Sequence, residues 1–344
     1  MKKLDIAALE AAILGGLVLS AGASGASAAE RHRKIGEAAL ELGQVELLPL
    51  ERFHDDEALL VSTVIGAPGV SRPSTEPADT VHAARALVQA SRCDAKAVIP
   101  GHVPGLHAWV IAAALGIPLA DAAANGRAHP SVTMGGMGMS WESAWAPGLR
   151  VLIHGEVRKA SALMRAAAVQ NGGLICAVRG PFPAGLVRTN GAPGSISFAL
   201  GLGQALLSAP GAARVKAAVD YLGGEVIVSG EVLWNTVEYR DGCDTGTIRV
   251  GDVTLGVYNQ LMTAERGGKR VATFPDFLAS LDPQTGEPLA VSALTAGTRV
   301  AIVATSMRNI PLGAGVFDPA LYPEVEAAMG VDLASYALKK RTSG

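Results

Sequence analysis

The stretch 98–130, VIPGHVPGLHAWVIAAALGIPLADAAANGRAHP, is the one on which the fold turns. An apolar strand runs into it from Ala97 and breaks at Pro100-Gly101. A turn follows that carries His102 and His107, and then an apolar helix over about 108–115. Gly116 stops that helix, 117–120 forms a second short strand, and Asp121 sits at its end. Asn125, Gly126, Arg127 and His129 follow in a loop. Strand, loop, helix and strand within so few residues make a parallel α/β unit, and ligands collect at the carboxyl ends of such strands. Polar residues fall at both strand ends and almost nowhere between, so this is the expected place of an active site.

Working outward, the 344 residues allow two domains or one large one. Hydrophobic residues make up 49% and charged ones 17%, which supplies a core and argues against bulk disorder. Net charge is −2, and no basic run exceeds a few residues, so nucleic acid is not an expected partner. Cys93, Cys176 and Cys243 are far apart and odd in number, which favours a reducing cytoplasm over a disulfide framework. Cys176, within the apolar run GGLICAV, reads as a buried strand residue.

The first 29 residues imitate a signal peptide, but Asp5 and Glu10 stand before and at the edge of the apolar run. Ile6, Leu9, Ile13 and Leu17 recur at helical spacing with Asp5 as N-cap, so a first helix of a cytoplasmic protein is expected. No other run is long enough to span a membrane. A small-residue hinge over 20–29 joins this helix to a second; its glycine-bearing turn either offers N–H groups to an anion or is a plain connection.

Strands are expected over 45–50 and 58–64, the second ending at Ile65-Gly66-Ala67-Pro68, and a helix over 80–91 with Ala83, Leu87 and Val88 inward. Beyond the opening stretch, TMGGMGM at 133–139 reads as a loop or pocket wall. A strand at 150–154, a helix at 158–170, a strand at 174–178, a proline-bearing loop at 179–194 and a helix at 195–207 follow. From Gly224 short strands alternate with Gly, Asp and Thr turns, the pattern of a small antiparallel barrel. The expectation is an α/β sandwich domain over 1–222 and a small antiparallel β-barrel domain over 223–304. A tail over 305–344, with a helix at 322–329, docks back on the first.

Several strings together resemble the S-methyl-thiohydantoin desulfurase family, often encoded beside hydantoinase-type enzymes. They are GAPGV at 66–70, AVIPGHVPGL at 97–106, LGIPLADAAANGRAHP at 115–130 and RTNGAPGSIS at 188–197. YNQLMTAE at 258–265, VATFPDFLASLDPQTGEPL at 271–289 and GTRVAIVA at 297–304 continue the series. The resemblance implies an α/β sandwich followed by a β-barrel. It also implies hydrolytic removal of sulfur from a five-membered thiohydantoin-type ring, and Arg188, Thr189, Ser195, Asn259 and Gln260 as pocket contacts. The chain departs from the family pattern at the expected site. His102 stands where a glutamate usually follows Ile-Pro, His107 where an asparagine follows Gly-Leu, and His129 where an aromatic follows Arg-Ala. Ala123 and Gln260 replace usual acids, while Asp121 and Gly126-Arg127 are kept.

Hydrolysing a thioamide-like carbon needs a positioned water, a base, and a group that stabilises charge on sulfur or nitrogen. Asp121 is the expected base, with His102 and His107 as catalytic partners. Arg127 is placed to bind a substrate carboxylate, with Asn125 and His129 beside it. His102, His107, His129 and Asp121 are alternatively the ligands of a divalent metal such as zinc, which would activate water directly. Three readings therefore stand: a hydrolase or lyase of a cyclic amide, thioamide or hydantoin-like small molecule; a non-catalytic accessory subunit of a hydantoinase-type partner that has lost its acids; and a metal-dependent enzyme. A homo-oligomer is expected.

Overall fold

The computed structural model describes residues 2–66, 76–240 and 243–337. Its first sheet is mixed and eight-stranded. From edge to edge it runs Lys2–Leu4, Val45–Leu48, Leu119–Ala120, Ala95–Pro100, Ala58–Gly66, Leu174–Pro183, Ser140–Ala146 and Leu149–Gly155. The four strands from Val45–Leu48 to Ala58–Gly66 are mutually parallel; the flanking pairs are antiparallel. The parallel core lies where the opening stretch places it, because Val98 and Leu119 are buried β-sheet neighbours across the connecting helix.

The α-helices include α1 Ile6–Leu19, α2 Ala29–Leu42, α3 Pro77–Ser91, α4 Leu106–Leu115, α5 Val157–Gln170, α6 Ala184–Asn190, α7 Ser195–Leu207, α8 Ala213–Leu222 and α9 Pro323–Met329. α1 is capped as its sequence requires: the Asp5 carboxylate accepts a hydrogen bond from the Ala8 amide at 2.8 Å. Its flanks are apolar nearly all round, and it is buried accordingly, packed among α2, α4 and α7 in one core. Ala83 and Leu87 of α3 enter the same core, which covers one face of the sheet. α5 and α6 cover the other face. No helix among the described residues is long and apolar enough to cross a membrane.

The second sheet is antiparallel: Lys269–Thr273, Leu261–Arg266, Val253–Tyr258, Cys243–Val250, Glu225–Asn235, Arg299–Thr305 and Phe277–Leu281, with Glu238–Arg240 added beside Cys243–Val250. It is a curled antiparallel half-barrel, at the place where a small antiparallel barrel is expected. Its end strands, Lys269–Thr273 and Phe277–Leu281, are joined through Phe274, Pro275 and Asp276 but form no ladder with each other among the described residues. Lys2–Leu4 and α8 are additional to the sequence reading, and so are two further elements. Ser140–Ala146 is a strand, and the expected loop at 179–194 is the end of the Leu174–Pro183 strand followed by α6. After Thr305 the chain crosses back. Val316, Tyr322 and Val325 pack with Tyr258, Met262 and Phe274 of the half-barrel and with Met134 of the first half.

Candidate functional site

A cavity of about 210 Å³ lies at the carboxyl ends of the parallel strands Ala58–Gly66 and Ala95–Pro100, where the opening stretch leads. Ser62 to Gly66 form one wall. Leu17, Ser20, Ala23 and Ser24, at the end of α1 and in the hinge, form a second, and Arg31, His32 and Ile35 of α2 a third. The loop from His102 to His107, the segment from Ala128 to Val132, Arg165 of α5, and Asn259-Gln260 of the half-barrel complete it. Both halves of the chain therefore contribute. Residues 67–75, which hold most of the GAPGV string, lie outside the described residues.

Four histidines face this space: His32, His102, His107 and His129. The His102 Nδ1 lies 2.9 Å from the Val103 carbonyl oxygen. A carbonyl only accepts, so Nδ1 carries the proton and Nε2 keeps its lone pair. The Nδ1 of His129 stands in the same relation to the Arg127 carbonyl, at 3.4 Å. The two rings meet edge to face, with centroids 6.1 Å apart. His107 is held from behind, its Nδ1 3.0 Å from Thr80 Oγ1, with the Cys176 sulfur 3.7 Å from both ring nitrogens. Burial disfavours the charged form of every one of these rings. It lowers His102 and brings His107 to about 4, helped by the charge of Arg31. Burial, with Arg31 and the neighbouring histidines, takes His32 to about 3; burial, with His102, Arg179 and Arg127, takes His129 to about 3. At neutral pH the cavity holds four uncharged imidazoles.

Ser62 adds a further polar group. It is 3% exposed, its hydroxyl has no hydrogen-bond partner among the described residues, and it lines the cavity. A buried hydroxyl without a partner is costly, and a ligand atom would supply the missing one. On the facing side Asn259 has left-handed backbone, φ 56°, fixed because its side-chain oxygen accepts from the Asp244 amide at 2.8 Å. Gln260, 1% exposed, makes only a weak 3.4 Å contact to the Met262 sulfur. Among the described residues that line the cavity there is no carboxylate.

The other expected site residues lie elsewhere. Asp121 is not on the cavity wall; its Oδ1 accepts from the Ser197 amide at 3.0 Å in the first turn of α7, and its carbonyl from Gly194 at 2.8 Å. Placing the negative end of a carboxylate there complements the helix N-terminus. Asn125 is fully buried and its Oδ1 accepts from the Gly313 amide, tying the tail to the loop. Arg127, also fully buried, donates to the Ala128, Pro275 and Asp276 carbonyls and lies over the Phe274 and Phe277 rings. Ser195 donates to the Ala192 carbonyl at 2.6 Å. Arg188 pairs with Asp55 and the Phe53 carbonyl, and Thr189 bonds within its own helix. Of the expected metal ligands, His102, His107 and His129 line the cavity and Asp121 does not. Among the described residues no group of three His, Cys, Asp or Glu side chains is placed to hold a metal ion. His102, His107, His129, Asn259 and Gln260 are thus brought together; Asp121, Asn125, Arg127, Arg188, Thr189 and Ser195 are not.

His32, Ser62, Arg31 and Arg165 complete the lining without having been singled out in the sequence. His32 is legible in retrospect: it precedes Ile35 and Ala39 at helical spacing, on the buried stripe of α2. Ser62 and Arg165 carry no local signal.

These features define a two-part α/β protein with a small-molecule-sized cavity at the strand ends, closed by its second sheet. The chain belongs to the S-Me-THD-like family: the N-terminal domain of that family matches residues 7–151 and the C-terminal domain residues 155–311. The crystal structure of a protein from Chromobacterium violaceum, solved as a structural genomics target, shares the fold. Its TM-score is 0.67 over 95% of this chain and 97% of that one, at 18% identity. No curated protein matches the chain.

Proposed function

We propose that the chain is a small-molecule hydrolase of a five-membered cyclic thioamide or amide, and that on a thiohydantoin-like ring it removes the sulfur. The observation that carries this reading is the cavity itself: a concave space in an S-Me-THD-like chain, furnished with four neutral imidazoles and a buried hydroxyl unpartnered among the described residues. At 210 Å³ it falls below the roughly 300–1,000 Å³ of pockets for drug-sized ligands, which favours a single small ring. Water adds across the ring C=N bond at the carbon that bears sulfur: a neutral imidazole takes one of its protons and the C=N electron pair moves onto the ring nitrogen. The carbon–sulfur bond then breaks, the oxygen stays as the ring carbonyl and gives its remaining proton to that nitrogen, and the sulfur leaves as a thiol bearing the proton the imidazole held. With no carboxylate on the described wall, the base in this reading is an imidazole rather than Asp121. The Nε2 atoms of His102 and His129 are the first candidates because their Nδ1 atoms are already committed. Ser62 holds a ring heteroatom, and the Arg31 and Arg165 charges favour an anionic substituent.

The test is thiol release from an S-methyl-thiohydantoin by the purified chain. Turnover should fall by about 10²-fold or more in His102→Ala or His129→Ala. Ser62→Ala should raise KM while leaving the thermal midpoint in place. Wild-type protein that releases no thiol would remove the reading.

The missing carboxylate favours a second reading, a non-catalytic accessory subunit of a hydantoinase-type partner. It predicts no turnover on any hydantoin together with stable co-purification of such a partner; robust turnover by the isolated chain would eliminate it.

A further inference from the structure

Arg179 and Glu142 are both buried, at 1% and 0% exposed, yet neither cavity wall nor salt bridge accounts for them. They face each other in register on the strands Leu174–Pro183 and Ser140–Ala146. Both Glu142 carboxylate oxygens and the Arg179 Nε are buried without a hydrogen-bond partner. Two buried ionisable groups at such cost call for a role. The remaining atoms of Arg179 indicate one. Its Nη1 and Nη2 reach across to the Val132 and Gly135 carbonyls, at 3.5 and 3.3 Å, on the Val132–Gly135 3₁₀ turn. Gly135 in turn backs the His129 ring so closely that a Cβ there would lie 2.9 Å from Nε2.

We propose that Arg179 is a positioning residue, which seats the His129 ring in the cavity by holding the Val132–Gly135 turn against it. The inference deepens the proposed function and rests on it for its meaning, but its test needs no substrate. Charge acts in the same direction as geometry. The groups facing His129 are Arg179 from the sheet, Arg127 in its own loop and His102 from the neighbouring loop. His32, His107, Arg31 and Arg165 lie across the cavity. Arg179 and Arg127 both oppose protonation of His129, and Glu142 opposes loss of the Arg179 charge. The arginine therefore holds the ring where it is and as a free base.

Histidine-detected NMR on the full chain decides this. In Arg179→Met the His129 ring resonances should shift and the His102–His129 ring contact should be lost, while those of His32 and His107 stay. Arg179→Lys, which can still donate to the Val132–Gly135 turn, should restore the contact; a merely structural defect would not be rescued selectively. An unchanged His102–His129 ring contact in Arg179→Met overturns the proposal. Should that variant not fold, Gly135→Ala pushes on the same ring with every charge retained. Loss of the His102–His129 contact there supports the seat, and its persistence overturns it. A chain that shows these shifts but releases no thiol would sink the proposed reaction and leave the Arg179 role standing.

Discussion

At the scale of single residues, the histidines of the cavity couple its chemistry to stability. His107 is 8% exposed and takes a proton only near pH 4, whereas in an unfolded chain it does so near 6.5. Between those values the unfolded state binds a proton that the folded state refuses, so stability falls as pH drops through the window. It is full above 6.5 and levels off below 4. A difference of that size corresponds to on the order of 3 kcal/mol. His107→Gln should flatten the dependence of urea-unfolding stability on pH between 6.5 and 4 by a large part of this amount. A variant whose pH profile overlays that of the wild type would show that His107 titrates normally in the fold. His32 and His129 add to the same slope, so the flattening will be partial.

At the scale of elements, α1 and α7 meet backbone to backbone. A Cβ on Gly203 would lie 1.8 Å from the Ala11 carbonyl oxygen, and one on Gly15 would lie 2.0 Å from that of Ala199. Only glycine permits this approach. Gly203→Ala must separate the helices, at about 1–3 kcal/mol or more, while Gly230→Ala meets nothing within 4 Å and serves as control. Equal urea midpoints for the two would contradict the packing. Much at this scale is legible in sequence, because the signals are local. Asp5 caps α1 as its position suggests, α7 spans Ser195–Leu207 as read, and the apolar strand before Pro100 leads into the cavity. The Ser140–Ala146 strand is not legible: Ser, Glu and Ala have little strand preference, and it owes its form to neighbours on both sides. The place of Asp121 is open in the sequence for the same kind of reason. A carboxylate at a strand end can face the cleft or cap the next helix, and only the placement of α7, far along the chain, decides between them.

At the scale of the whole molecule, Arg127 joins the two halves. It springs from the α/β half, and its guanidinium enters the half-barrel, where Asp276 and Pro275 carbonyls accept from it and two phenylalanines flank it. Burial lowers it to about 9, against the attraction of Asp276, so it remains a cation at neutral pH. Arg127→Met leaves the accepting carbonyls buried and unpaired, and should cost about 2–4 kcal/mol. Hydrogen exchange should then loosen first in the Phe277–Leu281 strand, with α3 and α4 still protected. Retained protection in both places would show that the halves hold together without this residue.

The cavity wall has a consequence for how the protein comes into being. Its members are drawn from Gly16 at one extreme to Gln260 at the other, with neighbours in space separated by more than two hundred residues of chain. Closing loops of that length delays contact formation, and a growing chain adds its N-terminal parts first. On the ribosome the four imidazoles therefore stay open to water until the half-barrel has emerged and folded over them. A chain that ends before Asn259 has the four histidines but lacks the part of the wall that the half-barrel supplies.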